Sequence, residues 1–547
     1  MANLLGHVLV AIFLLSPASG RTPPRPRDDA PANSGFLRRT SASAIVIGAA
    51  HVYIDGGELS HLQDGNSPSG RPSFAVNETI SISLETSWTN ATVAFNRVEK
   101  PQSAPHLGRQ AIWKDPNGSG FYVWGGSTSY ATAPPPPELW KFSTDGSGGG
   151  SWAKQSSDFE GGNIVRTTDG AWAQSRDVGY FMGGKATQNT DLKVASGNTL
   201  AVPGLLAFVM TTNKPSNLSS VGLGPFGTLV GGSAHFIPFG TPGVLLFLGG
   251  STSPISATEA GWVSMDFTTL TLYDLKNKQW LTQTTTGARP TPRERFCAVG
   301  VQGTNNTYEI FMYGGITTDS YKSTDEVYVL SLPGFVFFKV TAPGFSTKRA
   351  DHTCVFTGRR QLLSVGGIDT DVKFPDNFLD PDPWANGLGV FDLTDLIWRD
   401  RYDAEAAPYQ SPAVVREWYS KFGVASVKWS SDAVTRLFTE LMTPPERITR
   451  PTGPHGDSPS GTPGGLDTGS KIAIVVSVCS GVGISAAMVF CYCKGCFRCI
   501  RPKKEGQKPI DATQPQETCS HDNWTPPGRW RQESDLTTEA TSSSCLP

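Results

Sequence analysis

The chain has 547 residues, of which 59 are glycine and 41 are proline, and only 17% are charged. Glycine and proline weaken helix interiors, which argues against a mainly helical bundle, while 28 Phe, 14 Trp and 13 Tyr argue against wholesale disorder. A formal net charge of -2 offers no basic surface for nucleic acid. We therefore expect turn-rich β structure and no nucleic-acid partner.

The N-terminus predicts a secretory signal peptide over residues 1–20. An apolar stretch runs from Leu4 to Leu15, Pro17 interrupts it, and small residues follow at Ala18 and Gly20. This stretch is shorter than the about 20 residues of a membrane span, which disfavours the alternative of a short anchor. Residues 21–40 are expected to form an N-terminal linker.

A second apolar segment predicts a transmembrane helix over residues 471–493. The stretch from Ile472 to Cys493 contains no charged residue and would rise about 33 Å as a helix. Positive charge follows this segment at Lys494, Arg498, Arg501, Lys503 and Lys504, whereas the twenty residues before Lys471 contain no Lys or Arg. The charge bias predicts a single-pass type I membrane protein with an extracellular N-terminal part and a cytoplasmic tail over residues 494–547.

Five glycosylation sequons lie on the predicted extracellular side, where glycans would be surface features. They are at Asn77, Asn90, Asn117, Asn217 and Asn305. The sequon at Asn523 falls on the cytoplasmic side and should stay unmodified.

The most regular feature of the chain is a short apolar strand that ends in two glycines. The first glycines of successive pairs lie 52 to 69 residues apart. The pairs are Gly56 and Gly57, Gly125 and Gly126, Gly183 and Gly184, Gly249 and Gly250, Gly314 and Gly315, and Gly366 and Gly367. Glycine at a strand end tolerates positive φ and close backbone approach, both of which tightly packed sheets require.

Further strands surround each glycine pair. The segments that end at Trp280 and Trp398 predict two strands joined by a polar turn, and another strand follows Arg293. Four short strands in each repeat are typical of a propeller blade. We expect Trp280, Trp398 and Tyr328 to pack between blades rather than to stack on a ligand.

The segments FCAVGVQ, IFMYGG, DEVYVLSLPGF, RADHTCVF, RRQLLSVGG and GLGVFDLTDLIW resemble the kelch family, and more narrowly its single-pass fungal members with a galactose-oxidase-like propeller. The resemblance covers roughly residues 40–435. It implies an all-β kelch-type β-propeller ectodomain over residues 41–436. Six blades are favoured, and a seventh blade built from the terminal segments is the alternative.

Two groups of cysteines have different expected fates. Cys297 and Cys354 precede glycine pairs in consecutive repeats, which predicts a disulfide in an oxidising compartment, with two buried free thiols as the alternative. The second group adjoins the predicted span, where we expect palmitoylation in preference to unmodified thiols or a zinc site. It comprises Cys491, Cys493, Cys496 and Cys499.

An enzyme of the galactose-oxidase type would need two His and a Tyr at copper, and a second Tyr joined to a Cys. His51, His235 and His352 are expected on analogous strands of different blades, but no Tyr-x-His cluster accompanies them. The sequence also lacks a GxSxG elbow and an HExxH helix. We therefore predict no catalytic residues, no metal site and no cofactor.

Residues 437–470 are rich in Pro, Gly, Ser and Thr, which predicts a flexible stalk. Within the predicted span, Ser477, Gly481 and Ser485 place small residues on one helix face, which would allow weak homo-association. The polar tail that follows is expected to be disordered.

These features favour a non-catalytic cell-surface module that binds a protein or carbohydrate ligand through its loops. Thr128, Thr252 and Thr318 follow glycine pairs and are candidate contact residues by position. The alternatives are an extracellular oxidase or carbohydrate-active enzyme, and a cell-wall tether. Fold resemblance alone does not choose among them.

Overall fold

The computed structural model describes residues 35–62, 65–66, 70–129, 132–156, 164–255 and 261–440. All of them belong to the first of two compact units, Met1–Arg450. The predicted signal peptide, transmembrane segment and tail lie outside the described residues, as do Cys491, Cys493, Cys496 and Cys499. None of the helices in the described part is long and apolar enough to cross a membrane.

Strands are numbered in chain order. The first eight are β1 (Phe36–Thr40), β2 (Ser43–Ile47), β3 (His51–Asp55), β4 (Glu58–His61), β5 (Phe74–Ala75), β6 (Glu78–Ser83), β7 (Trp88–Thr89) and β8 (Asn96–Glu99). The next ten are β9 (Ala111–Lys114), β10 (Gly120–Trp124), β11 (Leu139–Thr144), β12 (Gly150–Gln155), β13 (Ala171–Gln174), β14 (Val178–Met182), β15 (Lys185–Ala186), β16 (Leu200–Ala201), β17 (Leu205–Val209) and β18 (Lys214–Leu218).

The second half of the described chain contains strands and a few short helices. The strands up to the first helix are β19 (Ser233–Ile237), β20 (Val244–Leu248), β21 (Ser251–Thr252), β22 (Val263–Ser264), β23 (Thr269–Asp274), β24 (Gln279–Thr284), β25 (Thr286–Gly287), β26 (Arg293–Glu294), β27 (Cys297–Gln302), β28 (Tyr308–Tyr313), β29 (Ile316–Thr317), β30 (Val327–Leu332), β31 (Val336–Val340), β32 (Thr353–Phe356) and β33 (Gln361–Val365). The remaining elements are α1 (Asp376–Leu379), a 3-10 turn (Ala385–Gly387), β34 (Leu388–Asp392), β35 (Ile397–Arg399), β36 (Arg401–Tyr402), α2 (Ala413–Lys421), a 3-10 turn (Val424–Ser426) and α3 (Asp432–Thr439).

Six antiparallel sheets of four strands form the body of the described chain. In order they are sheet 1 (β2-β3-β6-β8), sheet 2 (β9-β10-β11-β12), sheet 3 (β13-β14-β17-β18), sheet 4 (β19-β20-β23-β24), sheet 5 (β27-β28-β30-β31, with β25 parallel to β31) and sheet 6 (β32-β33-β34-β35). The first strand of each sheet contacts the first strand of the next, and β32 contacts β2. The prediction of a mainly β fold is confirmed, and the sheet arrangement supports a β-propeller.

Hydrophobic clusters lie between neighbouring sheets all the way round. For example, Trp113 of sheet 2 stacks on Phe208 of sheet 3, with ring centroids 5.8 Å apart. Val52 of sheet 1 and Leu363 of sheet 6 belong to one cluster, so the last sheet packs against the first. Alternating exposure along β27, in which Cys297, Val299 and Val301 are buried, is what a strand with one packed face requires.

The aromatic residues predicted to pack between blades do contact other buried side chains. Trp398 lies within 4.9 Å, centroid to centroid, of Tyr313, Trp384 and Phe391. Tyr328 is buried beside the Arg293 guanidinium, and Trp280 packs on Tyr273 at 4.8 Å.

Both ends of the expected propeller segment differ from the structure. Phe36–Thr40, expected above to belong to a linker, forms β1 and pairs with β4. Its last four residues are all buried, and its Leu37 and Arg39 carbonyls accept from Asp382 and Gly367 of the sheet 6 region. At the other end, α3 continues to Thr439, inside the segment expected to be stalk. Phe438 holds this helix on the sheets, with its ring 5.0 Å from Phe239 and 4.8 Å from Phe335.

We call residues 403–440 the C-terminal strap. It contains α2 and α3 and follows β36, which pairs with β7 of the sheet 1 region. Tyr409 and Ser411 of the strap donate hydrogen bonds of 3.0 and 3.1 Å to the Glu309 carboxylate on β28. Ser331 donates a third bond of 3.2 Å to the same side chain. Burial, only partly opposed by these hydroxyl donors, raises the pKa of Glu309 above its ordinary value.

Candidate binding face and axial mouth

Each glycine pair joins its own sheet to the next one. The backbone N–H of the second glycine donates to a carbonyl just ahead of the first strand of the following sheet, at 2.7 to 3.0 Å. The six donor and acceptor pairs are Gly57 to Leu107, Gly126 to Thr167, Gly184 to Leu229, Gly250 to Arg293, Gly315 to Arg349 and Gly367 to Arg39. The last bond returns to Arg39 on β1, just ahead of sheet 1, so the contact repeats around a closed ring.

The backbone at these pairs leaves no room for a side chain. All twelve glycines have positive φ, from 54° to 105°. A β-carbon on Gly250 would lie 2.6 Å from the Gly232 nitrogen, and one on Gly126 would lie 2.7 Å from the Gly108 oxygen. Glycine at both positions therefore allows the end of one sheet to approach the beginning of the next sheet closely.

A second set of residues surrounds the centre of the ring on the same side. We call it the axial ring. Each member lies two residues before the first strand of its sheet and has a φ between 55° and 69°. The members are Ser41, Arg109, Asp169, Gly231, Arg295 and Asp351. Backbone hydrogen bonds of 2.8 to 3.2 Å join five neighbouring pairs, each from the N–H of one member to the carbonyl of the member before it.

The axial ring carries a charge cluster at its centre. The Asp351 carboxylate accepts from Arg109 at 3.0 and 3.1 Å and from the Arg295 Nε at 2.7 Å. The Asp169 carboxylate lies 3.3 Å from Arg109 and 3.1 Å from Lys185. The two carboxylate side chains are 2% and 5% exposed, whereas the three cations are 26% to 33% exposed. The carboxylates therefore lie beneath a partly solvated layer of cations.

The pKa values agree with this arrangement. Burial by itself would raise the pKa of Asp169, but Lys185 and then Arg109 outweigh it and hold that pKa well below its usual range. Burial and the neighbouring Arg109 lower the pKa of Arg295 to about 10. Both groups therefore stay charged at neutral pH.

Beneath the axial ring, the first strands of the six sheets line a cavity of about 450 Å³. Cys297 and Cys354 line it and are joined as a disulfide between β27 and β32, with Cα atoms 5.5 Å apart. His352 is 7% exposed, and neither of its ring nitrogens has a hydrogen-bond partner. Burial and then Arg349 lower the pKa of His352 to about 3, so its imidazole is neutral.

The placement of His51 on a strand analogous to those of His235 and His352 is wrong. His51 begins β3, the second strand of sheet 1, while His235 lies in the middle of β19 and His352 precedes β32. His51 lies too close in sequence to its glycine pair to fall on the first strand, because the second strand of each sheet is the one that leads to the pair. The His235 Nε2 lies 3.1 Å from the Ser233 hydroxyl, and burial lowers the pKa of His235 to about 4.

The threonines proposed as contact residues have structural partners instead. The Thr128 hydroxyl donates to the Thr132 carbonyl at 2.7 Å, and the Thr318 hydroxyl donates to the Pro292 carbonyl at 3.1 Å. Thr252 is 0% exposed and its hydroxyl lies 3.0 Å from that of Thr228. These side chains shape the loops, and the assignment of Thr128 and Thr252 to a ligand-contacting surface is wrong because both are buried.

The glycosylation sequons fall in two environments. Asn77, Asn117, Asn217 and Asn305 are exposed, as a glycan requires. Asn90 is half-buried, and its Nδ2, the atom that would carry the glycan, donates to the Leu388 carbonyl at 3.0 Å. This bond joins the sheet 1 region to sheet 6, so a glycan at Asn90 would compete with closure of the ring.

The axial ring was not found from the sequence, although a signal exists. Each member lies two residues before the first strand of its sheet. In three of the sheets, an arginine lies two residues before the member, at Arg39, Arg293 and Arg349. The six ring positions carry four different residue types, so composition does not reveal their common place.

No family model matches the chain. A protein described as "Kelch repeat-containing protein" from Arthroderma benhamiae (strain ATCC MYA-4681 / CBS 112371) is 23% identical over 558 residues, which cover 88% of this chain and 78% of that protein. This similarity supports a kelch-repeat protein. It agrees with the repeated glycine contacts and with the sheet-rich fold, and it suggests a protein-interaction module.

Proposed function

We propose that this chain is a kelch-type, six-bladed β-propeller displayed at the cell surface as a non-catalytic binding module. The proposed topology is single-pass type I with an extracellular propeller and a cytoplasmic tail, which supplies a route for coupling to the cell interior. Its ligand is a protein or a carbohydrate. Kelch-type propellers in many families are interaction platforms, and the similarity reported above supports the same class of role here.

One observation carries the choice of binding surface. The six segments that follow the glycine pairs all emerge on the side of the axial ring, because each pair bonds to the residues that lead into that ring. Several of these segments carry large exposed apolar side chains, including Leu192 at 70% and Tyr321 at 54% exposure. Loops gathered on one face of a rigid scaffold are the usual place for recognition.

Arrays of glycans and secreted proteins, probed with the ectodomain over residues 21–470, test this proposal. Charged substitutions Leu192→Glu and Tyr321→Glu on the glycine-pair face should abolish binding to any array hit. Lys278→Glu and Arg359→Glu are matched controls, because both residues lie in turns between antiparallel strands at the opposite ends of the sheets. Equal loss from the control variants, or oxidase turnover on sugars without ligand binding, would refute the proposed function.

A further inference from the structure

The cavity beneath the axial ring contains three potential metal ligands. The sulfur atoms of Cys297 and Cys354 and a ring nitrogen of His352 lie within 4.8 Å of one another. Among the described residues, this is the one group of three or more Cys, His, Asp or Glu side chains whose ligand atoms lie close enough together to hold a metal ion. Two thiolates and an imidazole form a ligand set that favours zinc and monovalent copper over hard cations.

Apart from the edge-on contact of its ring with that of Tyr313, with centroids 5.0 Å apart, and the nearby Tyr313 backbone, His352 has no polar partner in the described structure. It is 7% exposed and lines the cavity, and neither ring nitrogen has a hydrogen-bond partner. A buried polar group without a partner destabilises the fold, so its retention calls for an explanation. A metal ion bound through one of these nitrogens would supply the missing partner.

The disulfide and a metal site exclude each other, since both use the same two sulfur atoms. In a metal dithiolate with sulfurs about 2.3 Å from the ion, the two sulfurs stand roughly 3.8 Å apart, which a small change of side-chain torsions can produce once the covalent bond opens. The Cα separation of 5.5 Å holds the two cysteines on adjacent strands in either state. Cys354 is only half-buried and faces the cavity, which gives a small reductant a route to it.

We propose that Cys297, Cys354 and His352 form a redox-gated site for a thiophilic d10 metal ion, closed while the disulfide is intact and open after its reduction. Two molecules of a small thiol supply two electrons and two protons, so that the disulfide becomes two thiols while the small thiol becomes its own disulfide. Metal binding then displaces the two thiol protons to solvent, and the neutral His352 imidazole donates its lone pair. The cavity supplies water for a fourth position.

The test uses the full chain in detergent, with every cysteine other than Cys297 and Cys354 replaced by serine. The protein is reduced with a phosphine, the phosphine is removed without air, and Co²⁺ is added as a spectroscopic probe. We expect near-ultraviolet thiolate charge-transfer bands that saturate at about one Co²⁺ per chain, as a single closed ligand set requires. Displacement by Zn²⁺ in one arm, and by Cu⁺ in another, identifies the preferred ion.

Two variants distinguish a specific three-residue ligand set from adventitious binding to thiols. His352→Ala should weaken Co²⁺ and Zn²⁺ binding by about a hundredfold, since even outer-shell substitutions weaken metal binding by about ten- to a hundredfold. His235→Ala is the matched control, because His235 also lines the cavity and is buried, but lies outside the ligand group. It should bind as tightly as the parent.

The unreduced protein should give no charge-transfer bands. All variants are compared first in the oxidised state by thermal unfolding, so that a folding defect is recognised. As a second measurement on the parent chain, Zn²⁺ should protect both reduced cysteines from alkylation. Absence of saturable binding after reduction, binding of equal affinity in His352→Ala, or alkylation that Zn²⁺ does not slow would overturn the proposal.

Discussion

Asp351→Asn removes a buried carboxylate that two arginines from different sheets share. Asp351 is 2% exposed and holds Arg109 of sheet 2 and Arg295 of sheet 5 at the centre of the axial ring. Asparagine keeps the size of the side chain but leaves both guanidinium groups without that counter-charge. Breaking a fully buried ion pair costs about 3 to 5 kcal/mol. Because the two arginines are 30% and 26% exposed, water recovers part of this, and we expect a loss of about 2 to 3 kcal/mol.

The free energy of unfolding is measured by urea titration of a fragment over residues 21–470 at pH 7. The matched control is Asp371→Asn, since Asp371 forms an exposed ion pair with Lys348 at 2.7 Å and should cost less than about 1 kcal/mol. A double-mutant cycle with Arg295→Gln should give a coupling energy of at least about 1 kcal/mol. If Asp351→Asn is no more destabilising than Asp371→Asn, the charge cluster does not hold the sheets together and our reasoning about the axial ring fails.

Three further predictions concern other parts of the ring. Gly315→Ala should destabilise the fold by at least about 1 kcal/mol more than Gly358→Ala in urea titrations. Both positions have φ near 92°, but only at Gly315 does the added β-carbon meet a side chain, at 2.7 Å. Equal effects of the two substitutions would contradict a close approach at Gly315. Since the folded state holds the Glu309 proton more tightly than the unfolded state, the free energy of unfolding should fall as the pH rises above about 4.5. Glu309→Gln should flatten this dependence of stability on pH. An unchanged pH dependence in the variant would exclude Glu309 as its source. Glycopeptide mapping of the folded protein, produced through a eukaryotic secretory pathway, should find glycans at exposed sequons and none at Asn90. Full occupancy at Asn90 would show that its bond to sheet 6 is dispensable.

Some local features could be predicted from the sequence because they depend on neighbouring residues. Apolar segments before the glycine pairs predicted strands, and β20 and β33, which end at such pairs, are buried along their whole length. The placement of Cys297 and Cys354 ahead of glycine pairs predicted that they would lie on the first strands of consecutive sheets. Those are local signals of strand, turn and close approach.

Other features needed partners that are distant in the chain. Phe36–Thr40 carries two arginines and was assigned to a linker, yet it is a strand because Arg38 and Arg39 bond to Gly367, more than 320 residues away. The side chain of Arg38 donates to the Gly367 carbonyl, with a sequence separation of 329. The strap helices are likewise amphipathic segments whose burial depends on the sheets they meet. Local composition at either end gave no sign of these contacts.

The position of each tight sheet end can be read from the amino-acid sequence, because a pair of glycines after an apolar strand marks a backbone that leaves no space for side chains. Which carbonyl each glycine meets, and which residues lie at the centre, depends on contacts between distant parts of the chain. Neighbouring members of the axial ring are 56 to 68 residues apart along the chain and have no residue type in common to all six, so none of them stands out in the sequence. Closure of the ring brings Arg109, Arg295, Asp169 and Asp351 within contact, and their charges become a cluster only there.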